Sequence, residues 1–184
     1  SIMKFSDYNI SADIKKQLEV LGFKRPTDIQ FKAIKPILDG EDVMAIAQTG
    51  TGKTAAFAIP TIDMISRSKG KYGKSAGVKC LVLVPTRELA KQIAGVYHEI
   101  AKNTKVKTFG IYGGVEQEQQ INTLNNGIDI LVATPGRMFD LISQGALDVT
   151  HVKQLVLDEA DLMLDLGFAK DITDVLRFVP QKRQ

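Results

Sequence analysis

Short apolar runs alternate along the chain with longer stretches of helical period. The runs cover residues 43–47, 80–84, 106–112, 128–133 and 152–157. Each is too short for a stable helix and is bounded by glycine or polar residues. Strands rich in apolar residues belong in a sheet covered on both faces. Between them lie helical stripes. Ile10, Ile14, Leu18 and Leu21 share one face, with Ser11 placed to cap the start and Gly22 to close the end. After Pro26, Thr27 opens a second stripe through Ile29, Ala33, Ile34, Ile37 and Leu38. Further helices are predicted over 54–65, 86–101 (with Thr86 as N-cap), 115–125, 134–142, 160–164 and 169–178. Residues 66–77, with their glycines, serines and lysines, predict a polar, mobile loop. This alternation predicts an α/β fold: a mostly parallel central sheet with helices on both faces. In such sheets ligands bind beyond the carboxyl ends of the strands.

Composition narrows the class without choosing the function. At 184 residues the chain suits one domain rather than two. Its 44% hydrophobic and 24% charged content is that of a soluble globular protein. No apolar stretch approaches the roughly 18 residues of a membrane span, and no secretory leader is visible at the start. A net charge of +3 is compatible with a nucleic-acid partner and proves none. The single cysteine, Cys80, cannot form an internal disulfide, so a reducing, cytoplasmic setting is expected. Its position in a strand favours an inert core thiol over a nucleophile.

Chemistry concentrates just after strands. Ala47-Gln48-Thr49-Gly50-Thr51-Gly52-Lys53-Thr54 links the first strand to a helix. Gly50 and Gly52 allow the backbone to curl so that several N–H groups face one anion. The helix N-terminus adds partial positive charge there. Lys53 can reach β and γ phosphates, and the Thr54 hydroxyl can hold Mg²⁺. Pro60 is expected to kink the following helix or to sit near its first turns. The fifth strand delivers Asp158 and Glu159 at its end. One carboxylate can hold Mg²⁺, and the other can orient or deprotonate an attacking water. The plainer alternative is an acidic strand end that caps a helix.

Asp158-Glu159-Ala160-Asp161 spells the signature of the DEAD-box RNA helicases, and the rest of the chain resembles that family in motif order. Ala47 to Thr54 looks like its first ATPase motif, which commonly begins with Ala. Gly22-Phe23-Lys24-Arg25-Pro26-Thr27-Asp28-Ile29-Gln30 resembles its adenine-recognising Q motif, and Phe5 stands 17 positions before Gly22, where the family places an isolated aromatic. Pro85-Thr86-Arg87-Glu88-Leu89-Ala90, Gly113-Gly114 and Thr134-Pro135-Gly136-Arg137 resemble its RNA-side motifs. The compact spacing is similar to that of bacterial, RhlE-like members.

The resemblance implies an N-terminal RecA-like, ATP-binding domain over 1–184. Gln30 would hydrogen-bond the adenine edge with its paired donor and acceptor, helped by Lys24, while Phe5 stacks on the ring. Gln48, Thr49, Gly50, Thr51, Gly52, Lys53 and Thr54 would bind the phosphates of ATP, with Thr54 and Asp158 at Mg²⁺. Lys53, Asp158 and Glu159 would be catalytic. Pro85, Thr86, Arg87, Gly113, Gly114, Thr134, Pro135, Gly136 and Arg137 would hold RNA by its backbone, without sequence preference. Thr86 and Thr134 also fit as plain helix caps. Asp161 would couple to a Ser-Ala-Thr motif that this sequence lacks. Also missing is the second RecA-like domain with its arginine finger, worth roughly 10³ to 10⁵ in rate in related phosphoryl-transfer enzymes. The isolated chain is therefore expected to bind nucleotide modestly, with little ATPase and no unwinding. An ATP-dependent RNA clamp or scaffold is the alternative from another class, with a DNA translocase a third. The Q-like motif together with Asp158 to Asp161 argues against the translocase.

Overall fold

The computed structural model describes residues 11–20, 43–47, 51–69 and 77–178, with backbone alone at 43–47, 51–53 and 178. Five strands, β1 (Val43–Ala47), β2 (Cys80–Leu83), β3 (Thr108–Ile111), β4 (Ile130–Ala133) and β5 (Gln154–Asp158), form one sheet in the order β1-β5-β2-β4-β3. Every pairing is parallel. The helices are α1 (Ala12–Val20), α2 (Thr51–Ser68), α3 (Arg87–Ala101), α4 (Gln117–Asn125), α5 (Pro135–Ser143), α6 (Ala160–Asp165) and α7 (Ala169–Phe178). The expected second helix after Thr27 lies outside the described residues, as do Phe5, Lys24 and Gln30.

The strand pleat sorts the core into two. Cys80, Val82, Ile130, Val132 and Val156 face one side, where they pack with Ile14 and Leu18 of α1, Ile59 and Ile62 of α2, and Ile93 and Tyr97 of α3. Their neighbours Leu81, Leu83, Leu131, Ala133, Leu155 and Leu157 face the other, against Met138 and Leu141 of α5, Met163 of α6 and Val175 of α7. Alternate residues of one strand bury on opposite faces, so apolar residues are needed at every position. Full burial of each large side chain stabilises the fold by about 1.5–3 kcal/mol.

Two expectations change. The helix placed at 54–65 runs from Thr51 to Ser68, so it takes in both the end of the predicted phosphate loop and the start of the predicted loop 66–77. Pro60 therefore falls mid-helix rather than in the first turns, where its missing N–H leaves the carbonyl four residues back without its usual donor. Beyond the helix end, Lys69 is buried. Its Nζ donates to Asp129 Oδ2 at 2.7 Å and to the Lys105 carbonyl at 2.8 Å. Residues 70–76 lie outside the described residues. The third strand is also shorter than 106–112, because its flanks bond elsewhere. Val106 N donates to Thr104 Oγ1 and Lys107 N to Asp129 Oδ2, while the Tyr112 carbonyl accepts from Gln120 Nε2.

Candidate functional site at the carboxyl edge of the sheet

All strands point the same way, so their carboxyl ends share one edge, and the chemistry-bearing residues follow those ends. At one end of this edge, β1 and β5 lie side by side with Ala47 opposite Asp158. β1 ends at Ala47 and α2 begins at Thr51, so Thr51, Gly52 and Lys53 form the first turn of that helix. Thr54 is buried at 6% exposure and Asp158 at 3%. Gln48, Thr49 and Gly50 lie outside the described residues. Glu159 adopts φ 54°, ψ 49°, the left-handed region, as the chain turns from β5 into α6. That conformation costs a non-glycine residue about 1–3 kcal/mol and concentrates at functional sites. Glu159 occupies the N-cap position of α6 without a side-chain capping bond, so the plain capping alternative finds no hydrogen bond there. Asp161 is exposed in the first turn of the same helix.

Further along the edge, an open groove of about 400 Å³ lies over the ends of β2, β3 and β4. Pro85, Arg87, Gly113, Gly114, Thr134, Pro135, Gly136, Arg137 and Phe168 line it. Three separate strand-to-helix junctions thus converge. Thr86 is not among the lining residues. Its Oγ1 accepts from Leu89 N at 3.2 Å and caps α3. An accepting hydroxyl keeps its own proton to donate, so capping and ligand contact are compatible. Thr134 precedes α5 but makes no side-chain cap bond, contrary to its reading as a plain cap. Pro135 fills the first helical position, where a missing N–H costs nothing.

The cations of the groove are held in different ways. The Arg87 Cζ lies 5.9 Å from the centre of the Tyr112 ring, with Lys91 Nζ at 5.8 Å, so two cations flank one aromatic ring. Gly114 has φ +80°, and a Cβ there would collide with the Arg87 guanidinium, with Cζ 3.2 Å away. The backbone conformation requires glycine, and a larger residue would also displace the Arg87 guanidinium. Arg137 is fixed from below: Nη1 donates to the Val115 carbonyl and to Gln120 Oε1, each at 2.8 Å.

Two residues, one lining the groove and one behind it, escape a reading of motifs. Phe168 follows Gly167, whose φ is +88°, in the turn between α6 and α7. Its N–H donates to the Met163 carbonyl, and its ring packs partly on the core. Its only sequence signal is an aromatic residue beside a glycine between two helical stripes. Gln120 is buried at 2% exposure in a helix that reads as polar. Its signal is spacing: Gln120, Ile121 and Leu124 fall on one helical face.

The fold and this divided edge define a P-loop-type α/β domain, with a phosphate-loop helix and a strand-end acidic pair at one end and a basic groove at the other. The family model described as DEAD/DEAH box helicase matches residues 27–184. The chain is 44% identical to the DEAD-box ATP-dependent RNA helicase 9, mitochondrial, of Arabidopsis thaliana, over 99% of its own length and 30% of that protein. It is 43% identical to the DEAD-box ATP-dependent RNA helicase CshA of Streptococcus pneumoniae, over 99% of its length and 34% of that protein. A crystal structure of a DEAD box protein from the hyperthermophile Methanococcus jannaschii superposes with a TM-score of 0.84 at 38% identity, covering 99% of this chain and 48% of that one. The chain belongs to the DEAD/DEAH box helicase family. It spans about a third of the length of these curated relatives.

Proposed function

We propose that this chain is the N-terminal ATP-binding domain of an ATP-dependent RNA helicase, working with a second RecA-like domain of the same protein. The observation that supports this most is the division of one sheet edge. The phosphate-loop helix and Asp158 stand at the β1–β5 end, and eight motif residues from three other junctions line one groove.

At the nucleotide end, the backbone N–H groups opening α2 receive phosphate oxygens, and Lys53 offsets their charge. Phe5, Lys24 and Gln30 select adenine. Thr54 and Asp158 offer hard oxygen donors, which suit Mg²⁺. Among the described residues no three His, Cys, Asp or Glu side chains gather as a cage. A site completed by phosphate and water is the usual arrangement for this ion. Mg²⁺ held there would supply charge neutralisation at the phosphates. Glu159 orients the attacking water, and Asp161 connects the site to the second domain. In the groove, Arg87 and Arg137 pair with phosphates, the hydroxyls of Thr86 and Thr134 donate to the backbone, and Gly113, Gly114 and Gly136 let it approach closely. These contacts read sugar and phosphate, so RNA binds without sequence preference. Closure of both domains on ATP and RNA strains the duplex locally, and hydrolysis resets the pair. The lone cysteine supports a reducing, cytoplasmic location.

The test is fluorescence anisotropy of residues 1–184 with two labelled single-stranded RNAs of unrelated sequence. Affinities should agree within about threefold, fall with rising salt, and weaken for both RNAs alike in Arg87→Ala. A strong preference for one sequence, or an unchanged affinity in Arg87→Ala, would contradict the reading.

A further inference from the structure

We infer that Gln120 is a positioning residue for RNA binding: it holds the Arg137 guanidinium in its phosphate-accepting orientation before the ligand arrives. The inference rests on the groove being the RNA site. Gln120 lies outside the groove's lining and is almost wholly buried. Its amide is used at both ends. Oε1 accepts from Arg137 Nη1 at 2.8 Å, and Nε2 donates to the Tyr112 carbonyl at 3.2 Å. The amide orientation is dictated by these partners, since a flipped amide would set donor against donor at Arg137. With the Val115 carbonyl taking the other hydrogen bond, Nη1 is fully occupied. The donors on Nε and Nη2 have no protein partner among the described residues, and Arg137 lines the groove. One edge of the guanidinium is anchored and the other is left for an anion.

The partners of this network come from both sides of the groove. Tyr112 and Val115 flank Gly113-Gly114 after β3, whereas Arg137 stands in the first turn of α5. Gln120 therefore ties two walls together. An unrestrained arginine samples many rotamers, and part of that freedom is lost on binding phosphate. An anchor that orders the side chain beforehand removes that cost from the binding step.

The experiment measures RNA affinity against salt for the wild-type chain, Gln120→Met, Arg137→Ala and the double variant. Methionine keeps the volume and removes both hydrogen bonds. Arg137→Ala should weaken RNA on the order of tenfold and reduce the salt slope by about 1. Gln120→Met should weaken RNA by at least about threefold and lower the slope in the same direction. The double variant should bind no more weakly than Arg137→Ala alone, because the anchor acts only through the arginine. Wild-type affinity in Gln120→Met, or losses that add in the double variant, would overturn the inference while leaving the groove as the RNA site. An unchanged affinity in Arg137→Ala would overturn the groove reading itself. Should Gln120→Met melt below the assay temperature, Gln120→Asn withdraws the amide by one methylene and is read by the same criteria.

Discussion

Cys80 carries its chemistry in its address. It opens β2, between β4 and β5, with its thiol buried on the α1–α3 side of the sheet. Desolvation pushes its pKa up from 9.0 to about 12, so at neutral pH it is a protonated, unreactive core group. The strand setting made that legible from sequence. Tyr97 shifts in the same direction from 10.0, chiefly through burial. In both cases the native state holds its proton more tightly than the unfolded chain. Stability is then full below pH 9 and falls as pH rises through 9 toward 12. Urea midpoints should decline across that window, and Cys80→Ala should decline less steeply, retaining only the tyrosine's share. Identical slopes for the two proteins would refute the assignment. Other single residues were legible as types but not as reasons. Gly114 is read as part of a motif, yet the need for glycine comes from a backbone φ of +80° that only the fold imposes. The left-handed turn at Glu159 leaves no mark on composition.

Whole elements were more legible than the joints between them. The five strands follow from runs apolar at every position, because a sheet buried on both faces leaves that trace. The helices follow from their stripes, and α7 has the expected limits. The failure at 66–69 has a physical cause. A lysine among glycines and serines reads as solvated, and nothing local shows that Asp129, 60 residues away, will meet it. Both side chains are fully buried, and the pair joins the end of α2 to the sheet beside β3 and β4. Asp129 Oδ2 also accepts from Lys107 N at 2.8 Å, whereas Oδ1 has no hydrogen-bond partner. Removing one member of such a pair strands a buried charge. Lys69→Met should lower unfolding free energy by about 3–5 kcal/mol in urea titrations, and a second change, Asp129→Leu, should recover part of that loss. A Lys69→Met protein as stable as the wild type would show that the pair contributes nothing. Asp63, earlier in the same helix, makes a similar joint to α1: its Oδ1 accepts from Ser11 N at 2.6 Å. Burial raises its pKa.

At the scale of the molecule, one geometric fact organises the rest: parallel strands bring every strand-to-helix junction to a single edge. The candidate site was legible because its motifs follow strands, so a list of junctions becomes a surface once the sheet order is known. The order β1-β5-β2-β4-β3 sets Ala47 beside Asp158 and leaves β2, β4 and β3 to form the groove. What stayed hidden was support lying behind that surface, Gln120 above all, since a buried glutamine is chosen by its partners rather than by its neighbours in the chain. The central claim is that the β1–β5 end binds an adenine nucleotide. Its most direct test is calorimetric titration of residues 1–184 with Mg·ADP and Mg·GDP, repeated on Lys53→Ala. ADP should give a saturable isotherm, GDP should bind at least about tenfold more weakly, a difference of about 1.4 kcal/mol, and Lys53→Ala should lose most of the ADP affinity. Equal binding of both nucleotides, or ADP binding untouched by Lys53→Ala, would contradict it.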